Sequence, residues 1–390
     1  MDGSRDNEDL LAAVLPRADY ASLGEAVYLN QAALGLLGRP AVEAMHRFLD
    51  DVGRHGNLHL SDEDEVAYLG ALRAQAAAVL GTDESQVALL SGASELLGQA
   101  PLLLAPPADR TVVLVATDFP AVTRPWLLAE DRGGPGVHFV LDTATTDLTD
   151  AVVAAVDETT AVVAVGSVQY ATGSRVDVPR LRAATDAVGA RLVIDASQEA
   201  GAEPIDAAAW DADLIVSSGY KWLGGHGGVA IGAIHESLLD RPPPLPGWMG
   251  TPDPFSFDAT RLLLAEGGRR YTQSTMSYVS VAGLTAAITE LLAVGAAEIS
   301  GHAETLGRHL LEGLRPFGWR PFRDLDAAGA ARHLISLGRE GDLPADTLSR
   351  LTAARIVCGS RGGRIRVSLA PYNDGTDIDA LIAALTSLPH

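Results

Sequence analysis

The sequence predicts an α/β protein, with a mostly parallel, doubly wound sheet followed by a smaller α+β unit. Between about Gln86 and Ile234, short apolar runs alternate with helical stretches: QVALLSG, RTVVLVATD, VHFVLDT, AVVAVGSV, RLVIDAS, DLIVSSG and GVAIGAI. The pattern then changes. After the Pro-rich segment RPPPLPGW comes a long helical stretch from Ser280 to about Leu310, and then strand-like HLISLGR, ARIVCGS and GRIRVSLA. A chain of 390 residues, 47% hydrophobic and 20% charged, has material for one large core and a smaller second one. The expected division is an N-terminal segment 1–25, a large domain 26–260 and a small domain 261–390, with helix 280–310 linking them.

The opening stretch MDGSRDNEDLLAAVLPRADY is acidic and lacks the basic-then-apolar pattern of a signal peptide. No run reaches the ~20 apolar residues of a membrane span. The chain closes on the helix DIDALIAALTSL, capped by Asp374 or Thr376. With 29 basic against 50 acidic residues, the formal charge is −21, which disfavours nucleic acid and anionic membrane as partners and is accounted for by solubility. One cysteine excludes an internal disulfide framework and is compatible with a cytoplasmic location. The ten histidines show no zinc-site spacing, so no metal is expected.

Chemistry concentrates at two strand ends. RLVID closes on Asp195, and DLIVSS leads into Tyr220, Lys221 and Trp222. In parallel sheets ligands collect at the carboxyl ends of strands. A lysine held in apolar surroundings loses its proton near neutral pH and can condense with an aldehyde as a Schiff base. A carboxylate facing a pyridine nitrogen keeps that nitrogen protonated, so that the ring can accept carbanion electrons. The pair suggests a pyridoxal phosphate enzyme with Lys221 catalytic and Asp195 on the ring nitrogen.

The stretch LLSGASELLGQ is a strand end, a glycine and a helix start whose free amides suit an anion, with Ser94 opening the helix. GGHGG after Lys221 is not a P-loop, because a P-loop lysine follows its glycines.

These motifs resemble fold-type I pyridoxal phosphate enzymes, and within them the class V aminotransferase family that includes cysteine desulfurases and isopenicillin N epimerase. The resemblance runs from YLNQAALG to RIRVSLAPYND. It implies that Gly92, Ala93 and Ser94 wrap the cofactor phosphate, joined by Ser218 and Tyr220. It places Phe119 on the ring face and Gln198 on the ring's phenolic oxygen. Tyr170 stands where the family usually carries an asparagine beside that oxygen. In RRYTQSTMSYVSVAGL, the resemblance points to Thr275 as the residue that reaches a neighbour's phosphate, which implies a homodimer. Arg366 would grip the α-carboxylate of an amino acid substrate through two parallel hydrogen bonds. Asn30, Gln31 and Arg361 are further candidates for the substrate pocket, and His226 is a candidate proton shuttle.

Desulfurases take sulfur onto a loop cysteine between the two arginine positions. Here RGGR leaves no such loop, and Cys358 precedes Arg361 as a small buried hydrophobe. The resemblance therefore implies carbon–sulfur β-elimination from an S-substituted cysteine, as in the family's natural-product branches, including ergothioneine and lincosamide pathways. Decarboxylation with deamination to an aldehyde, epimerisation and transamination remain open, as does a catalytically idle sensor or scaffold. Retention of Lys221, Asp195, Gln198 and Arg366 argues against the idle reading.

Overall fold

A computed structural model describes residues 11–340, 343 and 346–387; part of the expected N-terminal segment, residues 1–10, lies outside them. The large sheet has seven strands: β2 (Val87–Leu90), β3 (Thr111–Val115), β4 (Gly136–Val140), β5 (Thr160–Gly166), β6 (Arg191–Asp195), β7 (Leu214–Ser218) and β8 (Ala230–Ile234). Their order is β2-β8-β7-β6-β5-β3-β4. From β4 through β7 the neighbours run parallel, and β8 lies antiparallel to both β7 and β2. The chain moves outward from β3 to β4 and then back across to β5, so the winding direction reverses between β3 and β5.

Both faces of this sheet are covered, which is why its strands read as continuous apolar runs. Val113, Val163, Leu192, Ile194 and Ile215 pack into one core, and Val112, Val162, Val193, Leu214 and Val216 into another. Alternate residues thus serve opposite faces. Each such side chain contributes about 1.5–3 kcal/mol on full burial.

The smaller sheet has the order β1-β11-β12-β10-β9, with β1 at Val27–Leu29, β9 at Arg320–Pro321, β10 at Leu334–Gly338, β11 at Ile356–Arg361 and β12 at Arg364–Ser368. The expected boundary at residue 26 assigned β1 to the large domain. Instead β1 pairs parallel with β11, and Leu29 is fully buried among Leu306, Ile356 and Ile365.

The expected linking helix 280–310 is two helices, Tyr278–Val294 and Ala296–Leu314. They are bent by 77° at Gly295, whose φ of 91° is readily adopted only by glycine. The first packs on the helices Arg39–His55 and Asp62–Leu80, and the second on the closing helix Gly375–Thr386. Asp374 caps that last helix, accepting from the amides of Thr376 and Asp377. Among the described residues no single helix is long and apolar enough to cross a membrane.

Candidate active site

The carboxyl ends of the large-sheet strands converge on one cleft. β6 ends at Asp195, and β7 ends at Ser218, three residues before Lys221. Phe119 follows β3, and Tyr170 follows β5. Arg366 enters from β12 of the small domain.

Lys221 is only 7% exposed. Its Nζ lies 5.2 Å from the centre of the Phe119 ring and 5.8 Å from that of Tyr220. Burial pushes its amine below the ordinary lysine value; Asp195 opposes that shift, and Arg366 and Arg361 add to it. The backbone that carries Lys221 is clamped. Gln31 Nε2 donates to the Lys221 carbonyl at 2.8 Å, and the Gly35 amide donates to the Tyr220 carbonyl at 2.9 Å. A Cβ on Gly35 would lie 2.3 Å from the Lys221 carbonyl oxygen, so this approach requires glycine.

Arg366 is 1% exposed and donates from Nη1 to the Tyr170 carbonyl at 2.9 Å and from Nη2 to Asn30 Oδ1 at 3.3 Å. Its Nε has no partner. Burial, with Arg361 adding, lowers its pKa to about 10. The Arg361 guanidinium lies 5.9 Å from the centre of the Tyr170 ring and donates to the Ser360 carbonyl. Among the described residues, neither arginine forms an ion pair with a carboxylate. In a chain so rich in acid, this unmatched positive charge suits an anionic ligand.

At the opposite end, β2 runs into the helix Ala93–Leu104. Gly92 is the N-cap, without a side-chain cap bond. Ser94 does not open the helix as expected; it is the second helical residue and is exposed, because the cap falls two positions earlier. The free amides of that first turn remain suited to an anion. The Ser218 hydroxyl is buried without a hydrogen-bond partner, like Arg366 Nε. A buried polar group lacking a partner is costly unless a ligand supplies one. An unpartnered hydroxyl by a helix start, a desolvated lysine under an aromatic ring and a buried aspartate at a strand end together fit pyridoxal phosphate.

Four further candidates are placed as follows. Gln31 was a candidate for the substrate pocket, but its amide is committed to Lys221, Leu36 and the Tyr372 hydroxyl. It is 3% exposed and positions the lysine loop. His226 is exposed, with Nδ1 3.0 Å from the Gly227 carbonyl, and is not among the groups that perturb Lys221. Gln198 is buried as expected, but its Oε1 accepts from Trp222 Nε1 and its Nε2 donates to the Ala32 carbonyl, leaving one amide hydrogen uncommitted. Thr275 is exposed on the surface of its own chain.

Sequence reasoning missed the groups behind the site. Asp118, directly before Phe119, is buried and accepts three N–H donors. His333 is buried between Glu203 and the Gln198 carbonyl and meets Trp222 edge-on. Folding also brings Asp51, His55 and His59 together, with potential ligand atoms within 4.8 Å of one another, a grouping that the four-residue spacing of Asp51 and His55 along one helix face, continued to His59, already carries in the sequence. That cluster is largely exposed, and its Asp51 is already hydrogen-bonded to His59.

The family model described as aminotransferase class V matches residues 27–381. The cysteine desulfurase CsdA of Escherichia coli is 27% identical over 397 residues, covering 95% of this chain and 96% of its own. A kynureninase of Deinococcus radiodurans is 30% identical over 288 residues, covering 70% of this chain and 67% of its own. Among solved structures, a lysine-to-alanine mutant of C-DES with glycine covalently linked to its PLP cofactor superposes with a TM-score of 0.86 at 21% identity. It covers 96% of this chain and 100% of its own. The fold, the convergent cleft and the match across most of the sequence lead to one assignment: the chain belongs to the class V aminotransferase family of pyridoxal phosphate-dependent enzymes.

Proposed function

We propose that the protein is a carbon–sulfur β-lyase that converts an S-substituted cysteine to a thiol, pyruvate and ammonia, as part of natural-product metabolism. The carrying observation is the turn between the two arginines. Arg361 pairs directly with Arg364 across a two-residue hairpin, Gly362–Gly363, with φ of 54° and 72°. Such a turn has no room for a sulfur-carrying loop. The single cysteine, Cys358, lies in β11, where burial pushes its thiol up to about 12. A thiol held protonated is a poor sulfur acceptor. Sulfur would therefore leave with its substituent.

When bound, pyridoxal phosphate supplies the electron sink that weakens the bonds at Cα. Arg366 holds the α-carboxylate on its unpartnered Nε edge. The neutral amine of Lys221 takes the Cα proton, favoured by burial and by the two arginines. Asp195 holds a proton at the ring nitrogen. Phe119 covers the ring face and excludes water. The Cβ–S bond breaks with its electron pair on sulfur, which takes a proton; one water then converts the three-carbon remainder to pyruvate and ammonium. Ser218, Tyr220 and the first turn after Gly92 hold the phosphate.

The working unit in this reading is a cytoplasmic homodimer in which exposed Thr275 serves the neighbour's phosphate. Sedimentation together with a Thr275→Ala cofactor titration tests that part. For the reaction, purified protein loaded with pyridoxal phosphate is given an S-alkyl cysteine, and thiol, pyruvate and aldehyde are measured in parallel. Equal thiol and pyruvate are expected. Aldehyde without pyruvate would overturn the lyase in favour of decarboxylation with deamination.

A further inference from the structure

The groups expected to touch cofactor and substrate leave one buried carboxylate of the same cleft unused. Asp118 sits in the turn after β3, directly before Phe119, and is 8% exposed. Its Oδ1 accepts from the Phe119 amide at 2.7 Å. Its Oδ2 accepts from the Gly166 amide at 2.6 Å and from Gln169 Nε2 at 3.0 Å. The carboxylate thereby joins the ends of β3 and β5 where the winding of the sheet reverses.

Space is made for it there. A Cβ on Gly166 would lie 3.0 Å from Asp118 Oδ1, so the carboxylate fills the volume that this glycine leaves open. Gly166 is the residue directly opposite Asp195 in the β5–β6 ladder. Gln169 is fully buried and precedes Tyr170, whose carbonyl receives Arg366 Nη1. One side chain thus borders the ring-covering aromatic, the strand position facing Asp195 and the segment that orients Arg366.

We propose that Asp118 is a positioning residue that sets Phe119 over the cofactor ring and, through Gln169 and Tyr170, sets Arg366 for the substrate carboxylate. The inference rests on the pyridoxal phosphate assignment and adds a coupling between the cofactor seat and the carboxylate anchor. Each N–H that Asp118 satisfies would be buried and unpaired without it, a loss of roughly 1–3 kcal/mol apiece. Asp118 also titrates in a useful range. Burial raises its pKa to about 6 and the Asp195 charge pushes the same way, against the bonds from Gly166, Gln169 and Phe119. Ionisation of Asp118 therefore places a second negative charge near Asp195 and favours the proton on the ring nitrogen.

The test uses the full-length holoenzyme. The visible band of the wild type, and its loss in Lys221→Ala, first establish the cofactor; a wild type without that band would sink the pyridoxal phosphate assignment itself. With the band present, Asp118→Asn is expected to weaken cofactor binding by about ten-fold, the equivalent of one unpaired buried N–H. In a Phe119→Leu background the same change should cost much less, because Asp118 acts through Phe119. The band should respond to pH near 6 in the wild type and lose that response in Asp118→Asn. Gln169→Leu guards against a misfolded Asp118→Asn protein, and should weaken binding of an unreactive amino acid, read from the band, more than it weakens cofactor binding. Equal costs of Asp118→Asn with and without the Phe119 ring, or a Gln169→Leu protein that binds the amino acid like wild type, would overturn the inference.

Discussion

Nδ1 of His333 lies 2.8 Å from Glu203 Oε1, while the other ring nitrogen meets the main-chain carbonyl of Gln198. A carbonyl can only accept, and Glu203 is held ionised near a pKa of about 2. Burial alone would raise Glu203, but the hydrogen bond and charge of His333, with Arg175, outweigh it. The imidazole thus bridges a buried carboxylate and a main-chain carbonyl. It brings β10 of the small domain against the segment carrying Gln198. Glu199, Glu203, half-buried Arg175 and His333 form one linked set.

A stability profile follows from the depressed carboxylate. Glu203 contributes stability that is fully present above its ordinary value of 4.5 and is lost as pH falls towards about 2. Glu199, raised by burial, works in the opposite sense above that value. Thermal melts of wild type should fall steeply in the acid window, and Glu203→Gln should flatten the fall. At pH 7 the same variant takes one of its two carboxylates from Arg175 and weakens the acceptor of the Arg332 amide, and should lose about 1–3 kcal/mol, the cost of a poorly satisfied buried group.

Arg361 should act on Lys221 at a distance. Its positive charge helps to hold the lysine amine below its ordinary value, so Arg361→Gln should let that value rise. Cofactor uptake by the apoprotein requires the neutral amine. The pH at which uptake becomes fast should therefore move upward in Arg361→Gln. An unmoved profile would show that the two groups are not coupled.

Replacing Arg366 by lysine keeps the charge and removes the fork. Lysine cannot present two parallel N–H donors, nor reach the Tyr170 carbonyl and Asn30 while doing so. Arg366→Lys should weaken amino acid binding by about 10- to 100-fold, the value of one or two charge-assisted hydrogen bonds, with cofactor binding little changed. A titration followed through the cofactor band separates the two effects.

Cys358→Ala should retain release of thiol and pyruvate at a rate close to wild type. The residue is half-buried in β11 opposite Leu29, with its thiol kept protonated. Loss of sulfur release in this variant would return the protein to the desulfurase pattern.

The alternating strands, the placement of Lys221 and Asp195 at strand ends and the Asp374 cap were legible because each is a local pattern of periodicity or chemistry. β1 was not. A three-residue VYL run carries no mark of which sheet it joins, and its partner begins at Ile356. The break at Gly295 was hidden because an isolated glycine in an apolar periodic stretch is compatible with an unbroken helix. Asp118 and His333 were silent for a related reason. Their roles come from donors and acceptors that only folding assembles, and nothing in VATDFPAVTRPW or ARHLISLG distinguishes them from a turn acid and a surface imidazole.

Threading β1 into the C-terminal sheet has a consequence for the order of assembly. The large sheet is built wholly from residues 87–234, and its parts can meet while later residues are still being added. Val27–Leu29 emerge before any of that sheet, yet their strand partner among the described residues emerges near the end. Arg366 follows a few residues later on β12. The stretch made first must wait, and a growing chain on the ribosome acquires Lys221, Asp195 and the helix start after Gly92 well before Arg366, to which the substrate carboxylate is assigned under the proposed function.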